Sequence, residues 1–254
     1  MSSIQEDLSI FDKFKFERPP VGVKFLLNKP KGIEPLDKNI AFCEMLKEAQ
    51  QKGAPFYSVK ENFICAGPIT LGMVGSDPIR ESGQVGVKYG VFKEARANRR
   101  IYPVIARMER NTVSYVLFST LDKLSFEPDV LIVTASTSQA EILLRASSYT
   151  TGKMYSSRTT PVLGCSWLYV YPYISGELNY MVTGICWGMK SLRVFPEGLI
   201  LVSIPYDLLP ALILNLQDMQ WNPPHYTEGR DAAIKRSQQI ISELIQEQQD
   251  SGLD

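Results

Sequence analysis

Val130-Leu-Ile-Val-Thr-Ala-Ser-Thr-Ser-Gln-Ala-Glu-Ile-Leu-Leu-Arg-Ala-Ser-Ser-Tyr149 is the stretch whose reading decides the fold. Val130 to Thr134 is an apolar, β-branched run of strand length, and from Gln139 the apolar residues Ile142, Leu143 and Ala146 recur at helical spacing. Gly152 then stops the helix, because glycine enters the left-handed conformation without steric cost. Met154 to Cys165 reads as the extended return.

The same order of elements stands earlier in the chain. Pro19-Pro20 precede an apolar strand pattern at Val21 to Leu27, and the turn-rich Asn28 to Asn39 leads to a helix with Phe42, Met45, Leu46 and Ala49 inward, closed at Gly53. Phe56 to Cys65 is its extended return. The stopping glycine and the cysteine are 12 residues apart in this copy (53 to 65) and 13 in the other (152 to 165). Beyond the cysteines, Ser114-Tyr-Val-Leu-Phe-Ser-Thr-Leu-Asp and Leu199-Ile-Leu-Val-Ser-Ile-Pro-Tyr-Asp are strand patterns ending in aspartate, so Asp122 and Asp207 correspond. The expected fold class is α/β, with two degenerate strand-helix-strand repeats, about 18–125 and 127–216, in one pseudo-twofold domain over 1–220. The competing reading is that any two α/β segments share this order without duplication.

Residues 1 to 17 are expected to form a short helix with Leu8, Phe11 and Phe14 on one side. A C-terminal helical extension over 221–254 follows Trp221-Asn-Pro-Pro, with Ile234, Gln238, Ile241, Leu244 and Ile245 on one stripe of an amphipathic helix. That apolar edge needs cover, from its own domain or a second subunit, and a homo-oligomer held through this helix is the expectation.

Composition narrows the function classes. Lys+Arg and Asp+Glu each number 27, and the densest basic run, Lys93 to Arg110, is interrupted by Glu94 and Glu109, so nucleic acid is not an expected partner. Met1 to Phe16 carries Glu6, Asp7 and Asp12 and lacks the pattern of a targeting segment, and Gly198 to Leu216 is broken by Pro205, Asp207 and Pro210. No membrane association and a cytoplasmic location are therefore expected. One histidine, His225 in a loop, leaves little for a Ser-His-Asp triad or a His-rich metal site. Gly72-Met-Val-Gly75 and Gly83-Gln-Val-Gly86 lack the spacing of a phosphate-binding loop.

The four cysteines remain. Cys65 stands in Ile64-Cys-Ala-Gly, Cys165 in Gly164-Cys-Ser-Trp and Cys186 in Gly184-Ile-Cys-Trp-Gly, where small neighbours let a partner approach the sulfur; Cys43 opens a helix on its apolar side. Free cysteine is also an ordinary buried hydrophobe, and no CxxC pair writes a metal motif locally. A shared site must therefore be assembled by folding. In a reducing compartment such thiols suit an iron–sulfur cluster or another thiolate-bound metal.

Phe42-Cys43, Gly53, Cys65-Ala-Gly67, Leu71-Gly72, Pro128-Asp129-Val130, Gln139, Ala140, Tyr149, Gly152, Cys165-Ser166, Pro172, Gly176, Asn179, Cys186 and Gly188, in that order, resemble the uncharacterised domain-of-unknown-function family 169 over residues 18 to 216. The resemblance implies no settled activity, but it places all four cysteines on family positions. It also implies an arginine where this chain has Lys190, a point charge in place of a planar fork.

Three functions follow as expectations. The first is a binding protein with a cleft between the repeats for a metal centre, iron–sulfur cluster or tetrapyrrole-like aromatic cofactor. Its metal ligands would be Cys65, Cys165, Cys186 and Cys43, its cofactor contacts Cys65, Cys165, Cys186, Trp187 and Lys190, and its flat walls Trp167, Tyr169, Trp187 and Tyr89. The second is a thiol-dependent enzyme, with Arg193, Lys190 or Arg158 holding a small anion and Asp122 or Asp207 orienting the site. The third is an accessory or scaffold subunit.

Overall fold

In the computed structural model, which describes residues 8–251, the Val130 stretch folds as its pattern requires. Val130–Ala135 is a strand with every residue buried. Ser136 caps the following helix, its hydroxyl accepting the Gln139 N–H at 3.3 Å while the Gln139 side chain accepts the Ser136 N–H at 2.8 Å.

Among the described residues the strands are β1 (Val21–Leu26), β2 (Glu34–Pro35), β3 (Phe56–Ser58), β4 (Tyr115–Thr120), β5 (Val130–Ala135), β6 (Asn179–Val182) and β7 (Ile200–Pro205). The helices are α1 (Phe42–Lys52), the short α2 (Gly67–Thr70), α3 (Pro78–Glu81), α4 (Gln84–Lys88) and α5 (Ala95–Arg99), then α6 (Thr137–Ser148), α7 (Tyr171–Ser175), α8 (Trp187–Ser191), α9 (Leu209–Asp218) and α10 (Arg230–Ser251). The seven strands form one sheet in the order β2-β3-β4-β1-β5-β7-β6, antiparallel everywhere except between β2 and β3.

The middle of this sheet reads the same from either side. β1 meets β5 with Gly22 opposite Leu131, Val21 opposite Ile132 and Val23 opposite Val130. Outward, Val21 pairs with Thr120 on β4, and Val130 pairs with Pro205 on β7. The next residues, Leu121 and Tyr206, donate their N–H groups to the carbonyls of Pro20 at 2.9 Å and Asp129 at 3.1 Å. A 3-10 turn follows in both places, carrying Asp122 and Asp207.

The helices do not follow that symmetry. α1 buries Phe42, Met45, Leu46 and Ala49 in one core with Val21, Val23, Val116, Phe118, Val130 and Ile132. Because side chains alternate across a strand, Leu131, Val133, Val202 and Ile204 point to the opposite face, which α6 covers with Ala140, Leu143 and Ala146. A rotation that exchanges the strands therefore does not exchange α1 with α6.

The extended returns also differ from expectation. The first is the three-residue β3, which continues into a 3-10 turn. Met154 to Cys165 is no strand: the Arg158 N–H donates to Asn179 Oδ1 at 2.9 Å, Asn179 Nδ2 donates to the Arg158 carbonyl at 2.9 Å, and the Ser157 hydroxyl donates to the Tyr180 carbonyl. These bonds tie an irregular segment to β6, chiefly through the buried Asn179 side chain. Counted from the outer strands, Cys186 between β6 and α8 holds the place that Cys65 holds between β3 and α2, and Cys165 does not.

The chain divides into two compact units, Met1–Gln217 and Asp218–Asp254. In the first, the turn Ser9–Phe14 buries Ile10, Phe11 and Phe14; the part of the expected N-terminal helix at 1–7 lies outside the described residues. In the second, His225 sits in the 3-10 turn Pro224–Tyr226, edge-on to Tyr226 at 4.6 Å. The expected C-terminal helix is α10, and its stripe residues Ile234, Ile241, Leu244 and Ile245 are 42–56% exposed. Among the described residues no helix is long and apolar enough to cross a membrane.

Phe118 joins the strands to the α1 face, stacked on Phe56 at 5.2 Å and edge-on to Phe42 and Tyr169, each at 6.3 Å. Phe118→Ala should destabilise the fold by about 3–5 kcal/mol in urea unfolding, since the close-packed rings cannot collapse into the space. A loss under about 1 kcal/mol would contradict this account of the core.

Candidate functional site

Four separate segments bring their cysteines to the border of one hollow of about 350 Å³. Cys43 is the second residue of α1, Cys65 lies in the turn before α2, Cys165 precedes a π-turn at Ser166–Val170, and Cys186 is the residue before α8. π-turns concentrate at functional positions, because the extra residue re-aims the side chains around it.

The start of α1 explains how two of these segments meet. The first N–H groups of a helix have no partner within it, and that of Phe42 donates to the Cys65 sulfur at 3.2 Å. The Gly67 N–H, at the start of α2, donates to the same sulfur at 3.4 Å. Glycine is needed at 67: a Cβ there would lie 2.9 Å from both Phe42 Cβ and Phe63 Cδ1.

The second pair is joined in a similar way. The Gly164 N–H donates to the Cys186 sulfur at 3.4 Å, and a Cβ on Gly164 would lie 2.7 Å from Cys186 Cβ. Leu163, on the same wall, has φ +54°, a left-handed conformation that costs a branched side chain about 1–2 kcal/mol. Behind Cys165, the Ser166 hydroxyl donates to the Ala106 carbonyl at 2.6 Å and Asn179 Nδ2 donates to the Trp167 carbonyl at 2.8 Å. The π-turn is thereby fixed on both sides.

The hollow is apolar. Arg80 is the one charged residue on its walls, and it is ion-paired with Asp77. Burial pushes the Cys43 and Cys165 thiols well up, and the neighbouring cysteines add to the effect. Cys65 is also raised, mainly by burial, although its two N–H donors and the charge of Arg80 pull the other way. These three thiols are neutral near neutral pH.

Trp187 lines the hollow and stacks on Tyr89 at 4.3 Å. Tyr89 is thus on the wall where the sequence reading put it, whereas the remaining expected residues lie elsewhere. Lys190 is not on the wall: its side chain is 69% exposed, with Nζ 3.6 Å from a Glu197 carboxylate oxygen. Tyr169 is fully buried against Phe42, and Trp167 and Arg158 border a different, open cleft. Arg193, Asp122 and Asp207 are exposed and absent from the walls.

Apart from Tyr89, sequence reasoning missed the wall built by α3, α4 and α5, which also contributes Arg80, Val85, Gly86 and Asn98. Its signal was Gly83-Gln-Val-Gly86, which serves packing: a Cβ on Gly86 would lie 2.4 Å from Asn98 Nδ2. Asn98 Nδ2 donates to the Gly83 carbonyl at 3.1 Å, whereas the buried Oδ1 has no donor.

Residues 9–215 match domain-of-unknown-function family 169, described as Uncharacterised ArCR. The chain is 26% identical over 209 residues to Uncharacterized protein MJ0308 of Methanocaldococcus jannaschii, an alignment covering 80% of this chain and 89% of that protein. No solved structure matches. With more than three quarters of its length within the match, the chain belongs to domain-of-unknown-function family 169.

Proposed function

We propose that this protein holds a thiolate-ligated metal cofactor, with an iron–sulfur cluster as the first candidate, in the hollow bordered by Cys43, Cys65, Cys165 and Cys186. The observation that carries the reading is that four thiols from four segments border one apolar space with a single charged residue on its walls. Burial of cysteine as a small hydrophobe does not require them to meet.

The donor set suits such a group. Sulfur is a soft ligand, and N–H groups aimed at sulfur tune a bound cluster: two reach Cys65 and one reaches Cys186. Among the described residues no three of His, Cys, Asp and Glu stand close enough together to hold one metal ion. A single zinc would need its sulfurs at about 2.3 Å from one point. Four thiols that border the hollow without clustering on one point suit a group with several metal atoms, or a macrocycle, better than a single ion. A bound cluster would supply electron transfer; the Tyr89–Trp187 stack and the apolar walls would shield it from water. The matching places of Cys65 and Cys186, with the palindromic strands, support reading the two halves as copies of one ancestral unit whose helices have diverged. The thiol-enzyme reading has less support, because the raised Cys65 thiol is a weak nucleophile and no histidine is on the walls.

Anaerobic reconstitution with ferrous iron and sulfide should give protein with bound iron, acid-labile sulfide and visible charge-transfer absorption. Cys65→Ser and Cys186→Ser should each lower bound iron by half or more, with unchanged far-ultraviolet circular dichroism. Protein that takes up neither iron and sulfide, zinc nor copper(I) would refute the reading.

A pH dependence follows from the same thiols. Their folded-state values are raised, so each thiol is protonated until a metal displaces its proton, and ligation releases protons. Apparent affinity in chelator competition should therefore rise between about pH 6.5 and pH 8.5, by about tenfold per pH unit for each proton released. Affinity that falls or stays flat over that range would exclude ligation by these thiols.

A further inference from the structure

A second cleft, open and about 870 Å³ in volume, lies beside the hollow. Arg99, Arg107 and Arg158 are on its walls, and Glu81 is their one acidic neighbour there. Glu81 is already engaged, its Oε1 3.1 Å from Arg107 Nη2, which also donates to the Tyr102 carbonyl at 3.1 Å. That leaves Arg99 and Arg158 without a carboxylate among the residues lining the cleft, although Glu177, just beyond the lining, feels the charge of Arg158.

The rest of the lining is largely apolar, and two of its aromatic side chains are held in place. Trp167 donates from Nε1 to the Thr160 hydroxyl at 2.8 Å, and its ring lies 5.9 Å from Tyr171. Tyr171 donates its hydroxyl to Glu177 at 2.7 Å, which fixes the ring over which the Arg158 guanidinium stands at 5.5 Å. A guanidinium over an aromatic face keeps its edge free to bind an anion in two-pronged fashion.

We propose that this cleft binds a small planar aromatic molecule bearing a carboxylate or phosphate, its ring against Trp167 and Tyr171 and its anionic group between Arg99 and Arg158. The site stands independently of whatever fills the cysteine hollow, but the two adjoin: Tyr102 borders both. A molecule bound here would lie one side chain away from a group held by the thiols, as a reaction partner would.

The test is calorimetry at low salt with the full chain and four planar anions, benzoate, anthranilate, adenosine 5′-monophosphate and flavin mononucleotide. Each is run beside its uncharged counterpart: benzyl alcohol, aniline, adenosine and riboflavin. At least one anion should bind ten times or more tighter than its counterpart, and the double variant Arg99→Gln/Arg158→Gln should remove that difference while leaving circular dichroism unchanged. Both arginines are exposed, so the variant does not burden the core. Equal binding of every pair, or an anion preference that survives the double variant, would overturn the proposal. Failure of cluster reconstitution would leave this result untouched.

Discussion

Phe42 lying on Tyr169, with ring centroids 4.1 Å apart and planes 17° from parallel, is the contact on which the site depends. The Tyr169 hydroxyl also donates to the Phe42 carbonyl at 3.2 Å, so the same two residues are joined by a stack and a buried hydrogen bond. Phe42 starts α1 and sends its own N–H to Cys65; Tyr169 belongs to the π-turn that Cys165 precedes. One aromatic pair thus sets the relative positions of three of the four cysteines. Neither ring reaches solvent, which gives the arrangement the rigidity of a packed core.

The hollow is electrically quiet for the same reason that it is well made. Its thiols are desolvated by the packing that positions them, and desolvation disfavours their charged form. The N–H donors on Cys65 prepare that sulfur for negative charge without creating it. The second cleft is its electrostatic opposite, open and cationic, with three arginines on its walls and one of them paired with Glu81. An apolar chamber and a charged one thus stand side by side, sharing Tyr102.

Elements with local determinants were legible in the sequence. β1, α1 with its stop at Gly53, β4, β5 with α6, β7 and α10 all lie close to where periodicity and punctuating glycines put them. The long-range choices were not. Nothing in Gln139–Tyr149 says which face of the sheet α6 covers, because its apolar stripe suits either. Met154 to Cys165 is spaced like a strand but spends its hydrogen bonds on Asn179 and Tyr180. The cysteines drew attention by their small neighbours, a local signal. Tyr169 and Lys190 were misjudged because their destinations were decided elsewhere, by Phe42 across 127 residues and by Glu197 at the surface.

The irregular segment along β6 has a further consequence. Exposed sheet edges offer unpaired N–H and C=O groups on which a foreign strand can grow. Here the Tyr180 carbonyl on one border strand already accepts from the Ser157 hydroxyl, and the other border ends in a two-residue strand whose Pro35 has no N–H to give. Both borders are poor templates for strand addition. Self-association by edge-to-edge extension, the route to fibrils, is thereby discouraged at each border.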